Sequence, residues 1–182
     1  MRVIPTGFDD LAILEPEVME DNRGYFMESY HYNDLKSQGI DIRFIQDNQS
    51  KSRKGVLRGL HFQNSPHAQT KLIRVLSGEI LDVVVDLRKN KPTFGKSYST
   101  KLSSENRRQL LIPRGFAHGF LVLSETAETL YKCDEFYHPE AEGGIMYNDP
   151  ALKIDWTMPT SELTLSGRDQ NHPPLEKAKY NF

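Results

Sequence analysis

Apolar and polar residues alternate along much of this chain with a period of two, in short runs cut by Gly, Pro, Asn and Ser. That period belongs to β-strands with one face toward a core. It predicts strands at YFMESY (25–30), RFIQDNQS (43–50), GVLRGLHFQ (55–63), TKLIRVLSG (70–78) and EILDVVVDLR (79–88). Further strands are predicted at GKSYSTKLS (95–103), RQLLIP (108–113), AHGFLVLS (117–124), ETLYKCDEFY (128–137) and GGIMYND (143–149). Helix is sparse. Asn33 to Gln38, followed by Gly39, reads as one short helix with an N-cap and a C-terminal glycine. Ser104–Arg107 is at most a turn, and the Pro-containing tail after Trp156 reads as irregular chain folded back onto the rest. Many short strands between turn residues predict one all-β domain over 1–182, a sandwich or barrel with a few short helices. Neither a GxGxxG nor a GxxxxGK[ST] phosphate loop is present.

Composition narrows the setting. Of 182 residues, 37% are hydrophobic and 26% charged, which suits a globular domain with a substantial core. No apolar run approaches the roughly 20 residues of a membrane span. The N-terminal stretch has no basic and apolar leader pattern, and the single cysteine, Cys133, excludes an internal disulfide. The expected setting is therefore the cytoplasm, without a membrane. A formal net charge of −2 argues against a nucleic-acid partner, whose binding needs a basic field. It leaves room for a small anionic ligand held by a few placed arginines.

Several polar residues sit badly in this apolar pattern. In GVLRGLHFQ a regular pleat turns Arg58 and His61 to opposite faces. Gly59 between them predicts a bulge that brings both toward one cavity. The alternative is a snorkelling Arg58 and a hydrogen-bonded core His61. In EILDVVVDLR, Asp82 and Asp86 share a face with Ile80 and Val84, and buried carboxylates need partners. A lysine and a histidine on neighbouring strands are candidates, Lys71 among them, and a simple ion-pair network at a barrel mouth is the other reading. IPRGFAHGF feeds His118 into a strand through the turn Pro113-x-Gly115.

Gly55-x5-His61 together with Pro113-x-Gly115-x2-His118 is similar to the two-histidine signature of cupins, small β-barrels that often bind a metal. The metal count fails here. Gln63 stands where a second histidine is needed, and no glutamate follows at the required spacing, so no metal is expected at this site. The remaining histidines, His31, His67, His138 and His172, carry no motif and are expected to be exposed or structural.

A longer series of motifs resembles the dTDP-4-dehydrorhamnose 3,5-epimerase family. These are DNRGYFMESY, FIQDNQSKSRKGVLRGLHFQ, QTKLIRVLSGEILDVVVDLRKNKPTFGK, LSSENRRQLLIPRGFAHGFLVLSETAETLYKC, YNDPALKIDW and LSGRDQNHPPL. The resemblance implies a cupin-like jelly-roll β-barrel, a homodimer, a dTDP-sugar substrate and no cofactor. It assigns the catalytic base to His61, paired with Asp169 or, as a second candidate, Asp82. Lys71 is implied as the cation that stabilises an enolate oxygen, and Tyr131 as the acid on the other face of the sugar. Substrate contacts are implied for Arg23, Glu28, Gln46, Asp47, Asn48, Arg58, His118, Glu142 and Arg168. Glu142 is placed by the loosest of the matches. Arg168 departs from the family's usual lysine, and a guanidinium cannot serve in proton transfer, so Arg168 is assigned to ligand binding alone. A single-position epimerase, a metal-dependent cupin oxygenase and a barrel that only binds sugar nucleotides are the competing classes.

Overall fold

The computed structural model describes all 182 residues. Thirteen strands carry the fold: β1 (Arg2–Pro5), β2 (Ala12–Glu15), β3 (Val18–Asp21), β4 (Gly24–Met27), β5 (Gln46–Arg53), β6 (Leu57–Gln63) and β7 (Lys71–Ser77), then β8 (Glu79–Asp86), β9 (Ser97–Ser103), β10 (Gln109–Ile112), β11 (Phe116–Val122), β12 (Thr126–Cys133) and β13 (Glu142–Gly144). Two short helices, α1 (Tyr32–Ser37) and α2 (Gly167–Gln170), complete it with three single 3₁₀ turns. All strand pairs are antiparallel.

The strands form a six-stranded sheet, β1-β2-β10-β7-β12-β5, and a five-stranded sheet, β13-β6-β11-β8-β9. A hairpin, β3-β4, forms a ladder of its own. This is the expected all-β, jelly-roll arrangement, with one refinement. The ladders make two separate sheets face to face rather than a closed ring of strands.

Period-two patterning decides what lies between the sheets. On β7, Ile73 and Val75 point inward; on β8, Ile80 and Val84 do; on β11, Phe116, Phe120 and Val122 do. These residues join Leu110, Ile112 and Leu102 in one buried cluster. The opposite faces of β8 and β11 (Leu81, Val83, Val85, Ala117, Leu121) form a second cluster beneath the C-terminal tail, where Leu152, Trp156 and Phe182 cover them. Central strands covered on both faces read as near-continuous apolar runs, which explains EILDVVVD. A third, smaller cluster puts Leu35 of α1 over the outer face of β2, β7 and β10.

The structure departs from the sequence pattern at the N-terminus and near residue 145. Strands β1, β2 and β3 were not expected; each spans four residues, too short for a period to register. Strand β13 is three residues long, because the chain turns away before Asp149-Pro150 instead of continuing as a strand over 143–149. The short helix begins one residue before its expected start, capped by His31, whose Nδ1 accepts the Asp34 N–H.

At Gly59 the expected bulge is present. His118 faces His61 and Phe120 faces Arg58, so Gly119 alone opposes both Gly59 and Leu60. Gly59 has φ of 123°, and a Cβ there would stand 2.5 Å from the Cα of Gly119. Only glycine fits either position. The extra residue resets the pleat: Leu57, Leu60 and Phe62 pack into the second cluster, while Arg58, His61 and Gln63 face the space between the sheets.

Candidate active site

The inner faces that are apolar over most of their length turn polar at one end. There β5 supplies Gln46 and Asn48, β6 supplies Arg58 and His61, β7 supplies Lys71, β11 supplies His118 and β12 supplies Tyr131. Glu142 of β13 and Arg168 and Asp169 of α2 close the rim, and the cavity holds about 730 Å³. Ten of the thirteen residues expected from the sequence therefore line one space.

His61 and Asp169 form its tightest contact, Nε2 to Oδ1 at 2.5 Å. Asp169 is buried, and Ser166, the N-cap of α2, accepts its N–H at 3.1 Å, fixing the carboxylate's backbone. Burial pushes the Asp169 carboxyl upward, but hydrogen bonds from His61 and Ser166 and the nearby imidazoles more than offset this. The net result is a value below the ordinary carboxylate range. The other candidate partner, Asp82, is fully buried and belongs to His118, whose Nε2 lies 2.9 and 3.1 Å from its two oxygens. Asp82 thus finds the neighbouring-strand histidine expected for it. Asp86 does not: its partners are Arg88 and Thr93, at 2.8 and 2.6 Å, because its strand ends there and the chain curls back over the carboxylate.

Lys71 and Tyr131 lie on the opposite wall, on adjacent strands of the six-stranded sheet. The Lys71 Nζ is 6.0 Å from the centre of the Tyr131 ring, and no carboxylate is within ion-pairing distance of it. Burial lowers the Lys71 ammonium from its ordinary value, partly opposed by Cys133, Glu142 and Asp82. Burial raises the Tyr131 phenol. It also pushes the Cys133 thiol beneath them up to about 11. The site thus holds a cation without an ion-pair partner and a protonated phenol across from an imidazole–carboxylate pair.

The rim is more polar than the floor. Glu142 Oε2 accepts from the Tyr137 hydroxyl at 2.8 Å and from Arg168 at 2.7 Å, which ties β13 to α2. Arg58 rests on Ser52 through two 3.2 Å contacts. Gln46 donates to Asn48 at 3.1 Å and accepts the Tyr137 N–H at 3.2 Å.

Three expected residues lie elsewhere in the single chain. Asp47 has the opposite parity to Gln46 and Asn48 on β5, so it faces outward and pairs with Lys132 at 3.0 Å. Arg23 sits at the tip of the β3-β4 hairpin, bonded to Asp21, and Glu28 lies beside the same hairpin, near His31. One residue at the site was given no role from the sequence, although it lies in the LSGRDQNHPPL stretch. His172 packs edge-on against His61, with ring centres 5.3 Å apart, and its Nε2 is 3.6 Å from Asp169 Oδ1. Gly144 leaves the room for it, since a Cβ there would stand 2.3 Å from the ring. Its position three residues after Asp169, one turn on, was the available signal. His61, Asp169 and His172 bring three donor atoms within 4.8 Å of one another, yet the facing atoms of His61 and Asp169 are already occupied by each other.

Similarity to known proteins agrees with this geometry. A family model described as dTDP-4-dehydrorhamnose 3,5-epimerase matches residues 5–177. The dTDP-4-dehydrorhamnose 3,5-epimerase of Salmonella typhimurium is 52% identical over 98% of this chain and 97% of its own. The crystal structure of the Elizabethkingia anophelis enzyme of that name superposes with a TM-score of 0.93 at 51% identity, covering 97% of each chain. That of the Legionella pneumophila dTDP-6-deoxy-D-glucose-3,5-epimerase, in complex with dTDP-4-keto-L-rhamnose, gives 0.92 at 48%, covering 97% of this chain and 93% of its own. With a family match across nearly its whole length and a site of this make-up, the chain belongs to the dTDP-4-dehydrorhamnose 3,5-epimerase family of isomerases.

Proposed function

We propose that this chain inverts C3 and C5 of dTDP-4-dehydro-6-deoxy-D-glucose, giving dTDP-4-dehydro-L-rhamnose, with the residues of the single cavity in divided roles. The observation that carries the reading is the opposition of His61–Asp169 on one wall to Lys71 and Tyr131 on the other. C3 and C5 both flank the C4 carbonyl, so each C–H yields an enolate on deprotonation. His61 is the base, because imidazole titrates near neutrality, and Asp169 orients the ring and stabilises the imidazolium as it forms. The carbon acid is weaker than imidazolium by about ten pK units, so unaided transfer costs about 14 kcal/mol. Lys71 lowers that cost as a preorganised cation without a competing carboxylate, aimed at the enolate oxygen in a site of low dielectric. Tyr131, held protonated by burial, returns a proton to the opposite face.

Arg58, Arg168, Gln46, Asn48, His118 and Glu142 hold the sugar and diphosphate, the guanidiniums as planar donors to phosphate oxygens. Arg23, Glu28 and Asp47 enter this account through a homodimer. The β3-β4 hairpin exposes Met19, Tyr25 and Phe26 at 55%, 55% and 62%, and an isolated two-stranded hairpin with such a face gains stability only against a partner. We place it against a second copy, with Arg23 reaching the partner's cavity. No helix is long and apolar enough to cross a membrane, and we assign the enzyme to the cytoplasm.

Incubation with dTDP-4-dehydro-6-deoxy-D-glucose in D2O, followed by proton NMR, tests the reaction. Loss of both the C3 and C5 proton signals is expected. Exchange at one carbon only makes this a single-position epimerase, and exchange at neither removes the proposal.

A further inference from the structure

His172 does not line the cavity, yet it lies against both members of the base pair. Asp169 Oδ1 is the meeting point: His61 Nε2 is 2.5 Å from it and His172 Nε2 is 3.6 Å from it. The two rings stand at 76° to one another, so they approach that oxygen from different directions. A carboxylate oxygen has a lone pair for each. His172 Nε2 is buried and has no hydrogen-bond partner. A buried nitrogen left unpaired is costly. A shift of about 0.6 Å turns its contact with Asp169 into an ordinary N–H···O bond.

The chain holds the ring in place from both sides. Asn171 caps α2 with its N–H on the Arg168 carbonyl at 3.0 Å. Beyond His172, the Pro173 carbonyl accepts the Met146 N–H at 2.8 Å, and the Leu175 N–H donates to Asp149 at 2.7 Å. The charged groups facing the ring are His61 of β6, Asp169 and Arg168 of α2, and Glu142 of β13. Arg168 and Glu142 pair with each other at 2.7 Å. Burial lowers His172 below the ordinary imidazole value; His61 and Arg168 reinforce this, and Asp169 and Glu142 oppose it. The ring is therefore neutral at neutral pH. An ionised carboxylate can only accept, so Nε2 carries the ring proton.

We propose that His172 is a positioning residue for the epimerisation, its Nε2–H serving as a second donor to Asp169 Oδ1 beside His61. The inference rests on His61 being the base. A second donor disperses the carboxylate's charge, so Asp169 stays ionised and grips the His61 imidazolium less tightly. That keeps His61 in its basic form to lower pH, from a position that does not touch the substrate.

The pH profile of kcat/KM, which reports the free enzyme's base, separates a donor from a space-filler. His172→Gln keeps an N–H near the Nε2 position; His172→Phe fills the space without one. His172→Phe should move the acid limb up by about one pH unit, a loss of about tenfold below the limb, with the plateau nearly retained. His172→Gln should leave the limb where the wild type has it. Limbs that do not separate the two variants, or Gln impaired with Phe like the wild type, make His172 packing alone and overturn the proposal. Should His172→Phe fail to fold, ¹⁵N NMR of the wild type decides. A neutral His172 with its proton on Nε2 is expected, and a proton on Nδ1 alone or a cationic ring at neutral pH overturns the proposal. If the wild type exchanges deuterium at C3 and C5 while these readings fail, the role of His172 falls and the base assignment stands. Exchange at neither carbon removes both.

Discussion

The two ends of the space between the sheets are built from the same strands and the same inward parity, yet they do opposite things. On β7 the inward series is Lys71, Ile73, Val75; on β11 it is Phe116, His118, Phe120, Val122; on β12 it is Ala127, Thr129, Tyr131, Cys133. The apolar members close around one another and exclude water. The polar members at the far end stop short of closing and leave the cavity. A single pleat thus delivers core and site, and the chemistry depends on which inward positions are given to polar side chains. The stability of the apolar end keeps the polar end in place.

Neighbouring inward residues of β7 give the sharpest test of that division. Lys71→Ala should lower kcat by about 10²–10³-fold. It should not lower stability, since it removes an ammonium whose charged form burial already disfavours. Ile73→Ala, two residues along and fully buried, should instead cost about 2–5 kcal/mol of stability, with kcat per folded molecule nearly unchanged. Denaturant melts and steady-state kinetics on the two variants decide this. Equal stability losses would mean that the two ends are not separable. A smaller effect that crosses the division is expected at Gly59. Gly59→Ala forces a Cβ against Gly119 at positive φ and should cost about 1–3 kcal/mol. Because the same bulge turns Arg58 and His61 inward together, kcat should fall as well. Loss of stability with full activity would detach the bulge from the site.

The sequence makes the inward residues legible wherever a motif or an out-of-place charge marks them. Arg58 and His61 around Gly59, Lys71 in TKLIRV, and His118 after Pro113-x-Gly115 were each polar groups in apolar runs, and each lines the cavity. Asp47 was misjudged for a local reason. Adjacent residues on a strand face opposite ways, so Gln46 and Asn48 reach the cavity and Asp47 reaches Lys132. Arg23 and Glu28 could not be placed within one chain, because the hairpin near them pairs its strands with neither sheet. His172 was passed over because a lone histidine in an irregular tail has no period to mark it. Only tertiary packing against Gly144 brings it to the His61 ring. The four-residue strands at the N-terminus were missed because their pairing, not their pattern, makes them strands.

The central claim is that base and acid stand on opposite walls, His61 on one sheet and Tyr131 on the other. Deuterium exchange measured against product formation in two variants addresses it most directly. His61→Ala should abolish solvent exchange at both C3 and C5 together with product. Tyr131→Phe should still admit deuterium while yielding little inverted sugar, because the enolate forms but is reprotonated from the face it left. Full turnover to inverted product by Tyr131→Phe, or undiminished exchange in His61→Ala, would contradict the account.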